Sequence, residues 1–327
     1  MRHNVRTLTT ASARVPPFEP QSNALAGTRN RAAREVYHKV LANQSLIPRP
    51  WFLARVPGEH GLVSAAMMNA PALSIVVPTY NERDRLEHLV DDACRVFRQH
   101  QLPAELVIVD DNSPDGTGAL ADGLAERRPV RVVHRSGKLG LGTAVMDGFR
   151  VATASVLGVM DADLSHPPDL LPAMLRVLET TSSDMVIGSR YIPGGGSSNW
   201  SAARLLMSRL ACVLARPVTP VRDATSGFFL VRREAVEGVT IAAGGFKICL
   251  ELLVRGRIRA VAEVPYVFVG RTAGESKMNL REATGYLKQL RDLSGLRLAK
   301  GAPPRPRYQR ISPEFLQQAT PAPSAPR

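Results

Sequence analysis

The sequence predicts an α/β fold built on a doubly wound, mostly parallel sheet, and three observations support this prediction. Short apolar runs rich in β-branched residues alternate with segments of helical period between residues 72 and 190. These runs lack polar alternation, which indicates strands that are buried on both faces of the sheet. Polar and acidic residues follow the ends of the runs, at the edge where open α/β sheets bind their ligands.

The expected elements of the first half follow one another in a regular order. The strand over 73–77 is stopped by Pro78, and Asn81 can cap the helix that comes next. Further strands are expected at 106–109, 130–133, 156–160 and 185–187, each preceded by a helical segment. In the second half we expect helices over 201–216 and 248–254, strands over 228–231 and 264–269, and a basic amphipathic helix over 280–300.

One folded domain is expected over 71–300, between a low-order basic extension at 1–70 and a disordered, Pro-rich tail at 301–327. Residues 1–66 carry nine Lys and Arg against three acidic residues, without a sustained period. Their Arg-rich, acid-poor start is faintly similar to a transit peptide. We favour an accessory extension, or a translation start at Met67 or Met68, over a targeting signal.

The charge and the cysteines restrict the class of protein. The formal net charge is +13, but aromatic residues make up only 5% of the chain. A nucleic-acid binder typically concentrates basic and aromatic residues on its folded core. Anionic lipids or phosphate substrates fit this charge as well, and we expect no nucleic-acid partner. Cys94, Cys212 and Cys249 form no C-x-x-C pair, which indicates a reducing, cytosolic setting without structural zinc.

A pair of carboxylates marks the end of the strand over 156–160. Asp161 and Asp163 are spaced i, i+2, so an extended backbone would turn both toward the same side. Mg²⁺ and Mn²⁺ take oxygen ligands and keep coordination positions for substrate phosphates. The pair therefore suggests a metal–diphosphate site, although an acidic turn at the end of a strand is the simpler interpretation of these two residues alone.

Taken together, the strand ends resemble family 2 glycosyltransferases with the GT-A fold. The matching blocks, in order, are 77–82, 110–117, 138–144, 160–169 and 188–191. Later blocks at 223–229, 245–247 and 263–277 resemble the dolichyl-phosphate and polyprenyl-phosphate mannose synthase branch in particular. The resemblance covers roughly residues 72–280. It implies a single GT-A catalytic domain that moves a sugar from a nucleotide-sugar to a polyprenyl phosphate.

The resemblance also implies roles for individual residues. Positions that hold the base and ribose are matched by Pro78, Tyr80, Glu82, Val109 and Asp111. The metal–diphosphate segment is matched by Asp161, Ala162 and Asp163, with Ser165 near the ion where the family often has Gln. Positions for the lipid phosphate are matched by Arg190, Arg204 and Ser208, and those near the donor phosphates by Lys138, Lys247, Arg271 and Lys277. The expected catalytic residues are Asp163, Arg190, Arg204 and Ser208.

The residue chemistry agrees with this resemblance. A phosphate monoester is already anionic at pH 7, so it can attack an anomeric carbon without a strong general base. Charge that builds on the departing diphosphate can be stabilised by Mg²⁺ or Mn²⁺ and by Arg or Lys. In-line attack would invert the anomeric centre. GDP-mannose is the favoured donor, with transfer of glucose or an amino sugar as the alternative and a non-catalytic nucleotide-sugar-binding protein as a different class.

We expect peripheral binding to the cytoplasmic face of a membrane, because the acceptor is a lipid and no apolar run approaches the length of a bilayer span. The helices over 201–216 and 280–300 carry apolar residues with basic neighbours, which suits an interface. The second helix has five leucines expected broadly on one side: Leu280, Leu287, Leu290, Leu293 and Leu298. Packing of both helices on the core is the competing expectation.

Overall fold

A computed structural model describes residues 71–241, 247–270, 280–299 and 302–319. Within these ranges the strands are β1 (Leu73–Thr79), β2 (Ala104–Asp110), β3 (Val130–His134), β4 (Val156–Val159), β5 (Met185–Ser189), β6 (Gly196–Ser198), β7 (Phe229–Arg232), β8 (Ala260–Pro265), β9 (Val267–Val269) and β10 (Arg307–Arg310). The helices are α1 (Arg83–Gln99), α2 (Thr117–Ala125), α3 (Leu141–Val151), α4 (Leu171–Thr180), α5 (Ala202–Leu214), α6 (Arg233–Val236), α7 (Ile248–Arg255), α8 (Leu280–Leu298) and α9 (Pro313–Ala319). The extension expected at 1–70 lies outside the described residues.

Eight strands form the central sheet in the order β10-β8-β5-β7-β4-β1-β2-β3. All neighbours in this sheet are parallel except β7, which runs antiparallel between β4 and β5. The predicted doubly wound, mostly parallel sheet is therefore confirmed. A second, two-stranded sheet pairs β6 with β9.

The core lies on both faces of the sheet, as the absence of polar alternation predicted. Side chains of β1 alternate between two clusters: Ile75 packs with α1 on one face, and Val76 packs with α3 on the other. Both residues are completely buried. This burial on two sides fixes the position of β1 at the centre of the molecule, so that its carboxyl end and those of β2 and β4 share one edge.

The strand expected over 264–269 is two strands. β8 pairs with β5 as far as Pro265, and β9 pairs with β6 in the small sheet. Pro265 has no N–H for a further ladder hydrogen bond, and the chain changes sheets at the buried Tyr266.

The tail expected to be disordered beyond residue 300 is ordered over 302–319, so that prediction is wrong for these residues. β10 adds to the edge of β8, with the N–H of Arg307 donating to the carbonyl of Arg259. Ile311 and Leu316 are buried against the main core. The edge of β8 has unpaired backbone N–H and C=O groups, and β10 is ordered because it pairs with them. Backbone pairing of this kind does not depend on an apolar sequence, so the Pro-rich, polar composition of the tail gave no sign of it.

The basic helix over 280–300 is confirmed as α8, but its apolar stripe differs from the expected one. Leu290 and Leu293 are buried together with Tyr286 in the cluster that contains α7. Leu287 is 54% exposed and Leu298 is 86% exposed, so these two do not share that face. The buried positions 286, 290 and 293 follow the 3.6-residue period, whereas 287 and 298 depart from it.

Candidate active site

The edge formed by the carboxyl ends of the parallel strands collects most of the predicted side chains. The loops after β1, β2, β4 and β5 begin at residues 80, 111, 160 and 190. Because β7 runs in the opposite direction, the segment that precedes it, residues 223–228, reaches the same edge. Five segments distant in sequence therefore meet at one side of the sheet.

At the carboxyl end of β2, two consecutive aspartates have different roles. Asp110 is buried and its Oδ1 accepts hydrogen bonds from Thr79 Oγ1 (3.2 Å) and Ser113 Oγ (2.5 Å). Asp111 instead pairs with a buried arginine, Arg135, whose Nη1 lies 2.5 Å from Asp111 Oδ1. Asp110 thus shapes the loop, while Asp111 carries the charged contact.

Arg135 connects Asp111 to the glycine-rich loop, and its role was missed from the sequence. Its Nη2 donates to Thr143 Oγ1 at 2.6 Å and its Nη1 to the carbonyl of Gly140 at 3.3 Å. Gly140 has φ of 102°, a conformation that favours glycine. The signal was present as a lone arginine one residue after β3, but nothing in the sequence pairs it with Asp111.

Tyr80, which is predicted to hold the base, lies next to Lys138, which is predicted near the donor phosphates. Lys138 Nζ lies 4.0 Å from the centre of the Tyr80 ring, and Tyr80 is 39% exposed. Such a pair offers an exposed aromatic face and a cation to a nucleotide. Val109 is buried within the core and its carbonyl accepts from Thr79 Oγ1 at 3.4 Å, so a contact of Val109 with the base stays a prediction. Glu82 donates its N–H to Thr117 Oγ1, and Pro78 lies within β1.

The D-x-D segment directly follows β4, and both carboxylates are supported by neighbours. Asp163 Oδ1 accepts from the N–H of Ser165 (3.1 Å) and from its Oγ (2.5 Å). Ser165 is buried with its hydroxyl directed at Asp163, so it braces the carboxylate. A direct bond from Ser165 to a metal stays a prediction. Ala162, between the aspartates, is buried.

His166 supports Asp161. The N–H of Asp161 donates to His166 Nδ1 at 3.0 Å, and Nε2 of the same ring lies 3.8 Å from Asp161 Oδ2. Burial lowers the pKa of His166, and the ring stacks on Phe228 with centroids 5.0 Å apart. Because Nδ1 is an acceptor here, a neutral ring carries its proton on Nε2, toward the carboxylate.

The donor set at this edge fits a divalent cation. Mg²⁺ at phosphate-transfer sites is typically held by one or two carboxylates together with substrate phosphates. Asp161 and Asp163 provide two such carboxylates, and Asp161 is 37% exposed at its side chain. In the part of the chain that the structure describes, no group of three or more His, Cys, Asp or Glu side chains could hold a metal ion by itself.

Arg190, directly after β5, is held by a buried carboxylate. Its Nε lies 2.7 Å from Asp223 Oδ2 and its Nη2 lies 2.6 Å from Asp223 Oδ1, a two-point contact. The main-chain N–H of Arg190 also donates to Asp223 Oδ2. Burial is the largest single effect on the pKa of Arg190 and lowers it, but the charge and the hydrogen bonds of Asp223, together with Tyr266 and Tyr191, raise the pKa overall. Arg190 therefore stays charged and has a fixed orientation.

Three predicted acceptor residues come together around two aromatic rings. The guanidinium carbon of Arg190 lies 5.2 Å from the centre of the Trp200 ring, and that of Arg204 lies 4.3 Å from the same ring. Ser208 is one turn beyond Arg204 on α5, and its Oγ accepts from Tyr191 OH at 2.6 Å. Arg190, Arg204 and Ser208 thus form one cationic, hydroxyl-bearing cluster. No role for Tyr191 or Trp200 was predicted from the sequence.

The segment 223–228 links this cluster to the D-x-D segment. Asp223 holds Arg190 at one end. Gly227 lies so close to Asp161 that a Cβ on it would be 3.1 Å from Asp161 Oδ2. Phe228 then stacks on His166. A single short segment therefore sets the spacing between the carboxylates and the arginine.

Lys247, Arg271 and Lys277 were predicted to lie near the donor phosphates. Lys247 immediately precedes α7, next to residues 242–246, which lie outside the described ranges. Arg271 and Lys277 also lie outside the described residues. Their contacts with donor phosphates stay predictions.

Comparisons with known proteins agree with this geometry. The sequence pattern of glycosyl transferase family 2 matches residues 74–240. A dolichol-phosphate mannosyltransferase of Pyrococcus furiosus is 41% identical over 225 residues, which span 67% of this chain and 62% of that protein. The polyprenol monophosphomannose synthase of Mycolicibacterium smegmatis is 40% identical over 248 residues, 70% of this chain and 91% of that protein.

A solved structure shares the fold at low sequence identity. A mannosyltransferase from Pyrobaculum calidifontis, determined with GDP-Man and Mn²⁺, superimposes with a TM-score of 0.51 and 19% identity. The match covers 90% of this chain and 78% of that one. At this identity the likeness establishes the fold and leaves the substrate to other arguments.

Proposed function

We propose, from the premise that this chain belongs to glycosyl transferase family 2, that it transfers mannose from GDP-mannose to a polyprenyl phosphate of the dolichyl type. The expected GT-A fold is confirmed. The observation that supports the proposal most is the segment 223–228, because it contacts the D-x-D segment and also Arg190, which forms a cluster with Arg204 and Ser208. A cluster of this kind suits a phosphate acceptor, because the planar fork of arginine matches phosphate oxygens.

The donor would occupy the edge at β1, β2 and β4. Tyr80 and Lys138 provide an aromatic face and a cation for the nucleotide, and Asp111, fixed by Arg135, is placed to accept hydrogen bonds from the base or ribose. Asp161 and Asp163 would hold Mg²⁺ or Mn²⁺, which supplies positive charge to the diphosphate as it leaves. His166 and Ser165 keep the two carboxylates in place for this task.

The acceptor phosphate would lie against Arg190, Arg204 and Ser208. Its oxygen attacks the anomeric carbon, a new carbon–oxygen bond forms to the acceptor, and the bond to the nucleoside diphosphate breaks with inversion. The acceptor oxygen is already an anion at pH 7, so no side chain has to remove a proton. The two arginines would hold that anion in a fixed position, which lowers the entropy cost of the step.

A panel of radiolabelled nucleotide-sugars tests the proposal. Purified protein with Mn²⁺ is incubated with farnesyl phosphate and GDP-mannose, GDP-glucose, UDP-glucose or UDP-N-acetylglucosamine, and the lipid product is counted. We expect transfer from GDP-mannose, a β-linked product, and loss of transfer with EDTA that excess Mn²⁺ restores. Preferred transfer from another donor would support glucose or an amino sugar instead. Binding of GDP-mannose without any transfer would support a non-catalytic protein.

The outer face of α5 suits contact with a membrane surface, which is where such an acceptor resides. Arg204 and Ser208 lie one turn apart on the side of α5 that faces Arg190. The exposed apolar residues of the helix lie on the other sides and comprise Leu206, Met207, Leu210, Val213 and Leu214. None of the helices within the described ranges is long and apolar enough to cross a bilayer. Placement on the cytoplasmic face stays a prediction.

Charging the outer face of α5 is expected to release the protein from vesicles. Leu206 is 66% exposed and Val213 is 61% exposed, so the double variant Leu206→Glu, Val213→Glu should fold normally while losing apolar area and gaining repulsion from anionic lipid. The measurement is flotation with phosphatidylserine-containing liposomes. We expect the double variant to bind these liposomes with an affinity roughly tenfold or more below that of the wild type.

The control is Val151→Glu, which adds one of these negative charges at an exposed position at the end of α3, near the amino ends of the strands. It should float like the wild type. A second arm, Leu287→Glu with Leu298→Glu on α8, asks whether that helix also binds lipid. Unchanged flotation of the α5 variant would refute the role of α5 in membrane contact.

A further inference from the structure

A line of polar contacts connects the C-terminal strand β10 to Arg190. Tyr308 OH donates to Glu263 Oε2 at 2.5 Å. Glu263 Oε1 accepts the N–H of Asp223 at 2.8 Å, and Asp223 in turn holds the guanidinium of Arg190. The four residues come from β10, β8, the segment before β7 and the end of β5. These are the four strands at one side of the sheet.

Glu263 is the central member of this line and depends on its donors. It is completely buried, and its carboxylate accepts from Tyr308 OH and from the N–H groups of Arg222 (2.9 Å) and Asp223. Burial raises the pKa of Glu263, and these hydrogen bonds oppose that effect. A hydrogen bond from the Ser189 side chain is a fourth contact of this carboxylate. A buried carboxylate that loses one of its four donors is destabilised, and the peptide groups of residues 222 and 223 and the Ser189 hydroxyl are the partners that remain to adjust.

Asp223 transmits any such adjustment to Arg190. It contacts Nε, Nη2 and the main-chain N–H of Arg190, so its position sets the rotation of the whole guanidinium plane. Nη2 also donates to Thr225 Oγ1 at 3.0 Å. Nη1 is the nitrogen that lies outside these contacts with Asp223 and Thr225. A small rotation of the plane would move Nη1 away from a phosphate that depends on it.

We infer that Tyr308 is a positioning residue for the acceptor phosphate and that β10 completes the acceptor half of the active site. The inference rests on the proposed function, because it takes Arg190 as the residue that receives the acceptor phosphate. The donor half is built from β1 to β4 and has no member of this line. The effect of Tyr308 is therefore confined to one of the two substrates.

The test is Tyr308→Phe, assayed with farnesyl phosphate as a soluble acceptor so that membrane binding does not enter. The phenyl ring keeps the packing of Tyr308 and removes only its hydroxyl. We expect the KM for farnesyl phosphate to rise about fivefold to tenfold. The KM for GDP-mannose and the kcat at saturating acceptor should stay within about twofold of wild type.

Ile311→Ala is the matched control for stability. Ile311 is 6% exposed and lies just beyond β10, so truncation of its side chain loosens the same segment. Its hydrogen bond with Glu263 runs from its main-chain N–H to the main-chain carbonyl, which the substitution retains, and the donors to the Glu263 carboxylate are unchanged. Both variants are melted to compare their Tm values. We expect Ile311→Ala to lower the Tm at least as much as Tyr308→Phe while leaving the KM for farnesyl phosphate unchanged. Gln309→Ala, on the exposed side of β10, should change neither quantity.

An unchanged KM for farnesyl phosphate in folded Tyr308→Phe would overturn the inference alone. So would an equal rise in the KM for farnesyl phosphate in Ile311→Ala. A rise in the KM for GDP-mannose as large as that for farnesyl phosphate would also overturn it, since the effect would then not be confined to the acceptor. Wild-type protein that transfers no sugar to farnesyl phosphate would instead overturn the proposed function, and this inference with it.

Discussion

Asp163→Asn is expected to lower mannosyl transfer by a factor on the order of 10²–10³. The amide keeps the shape of the side chain and an oxygen that can accept from Ser165, but it removes the negative charge that holds a divalent cation. The leaving diphosphate then loses the charge stabilisation that the cation supplies in the transition state. The measurement is kcat/KM for GDP-mannose over a range of Mn²⁺ concentrations.

Asp163→Asn should also bind the divalent cation more weakly, which can be measured directly. The Mn²⁺ concentration that gives half-maximal rate should rise in Asp163→Asn, and direct titration of Mn²⁺ in the presence of GDP should show lower affinity. Asp169→Asn is the matched control, because Asp169 follows on the same segment but pairs with Arg95 at 3.0 Å. Its activity should stay within about twofold of wild type. Wild-type transfer by Asp163→Asn would rule out the metal–diphosphate role.

Arg190→Lys is expected to reduce kcat/KM for the polyprenyl phosphate by about 10²-fold while leaving the KM for GDP-mannose nearly unchanged. Lysine keeps the charge but has no fork, so it cannot contact both oxygens of Asp223 and the acceptor phosphate together. Asp223 is completely buried and loses part of a two-point contact that otherwise compensates its charge. Full initial-rate analysis with both substrates varied gives the required KM values.

The same substitution should lower stability. Breaking a buried ion pair outright costs about 3–5 kcal/mol, and a retained single contact reduces that loss. A fall in Tm of several degrees is therefore expected by calorimetry. Arg128→Lys is the control, since Arg128 pairs with Asp91 at 2.9 Å on the exposed surface, where such a change has little effect. An unchanged acceptor KM in folded Arg190→Lys would contradict the acceptor role.

Local sequence patterns sufficed for most of the fold and for the position of the D-x-D segment at the sheet edge. Val76 and its neighbours in β1 are buried on both faces, and such strands appear as short continuous apolar runs. Asp161 and Asp163 follow such a run directly, so their position at the sheet edge could be predicted. The direction of β7 could not, because the period of a strand is the same in either direction.

Contacts between distant residues were beyond the sequence alone. Asp223 and Arg190 are 33 positions apart, and Glu263 lies 40 positions from Asp223, with no local pattern that pairs them. β10 was missed for a related reason. The segment Arg307–Arg310 is polar because it lies on a sheet edge, and its order comes from backbone pairing with β8 and from burial of Ile311.

The reversed strand β7 also constrains the order in which the molecule can assemble. Strands β1 to β4 pair among themselves, so the donor half can form its part of the sheet once residue 159 has been synthesised. β5 is made next, but its partners in the sheet are β7 and β8. About forty residues beyond Arg190 must therefore be synthesised before β5 has a partner strand in the sheet. On a ribosome, the half that binds nucleotide would fold first, and the half that binds lipid phosphate would be completed last.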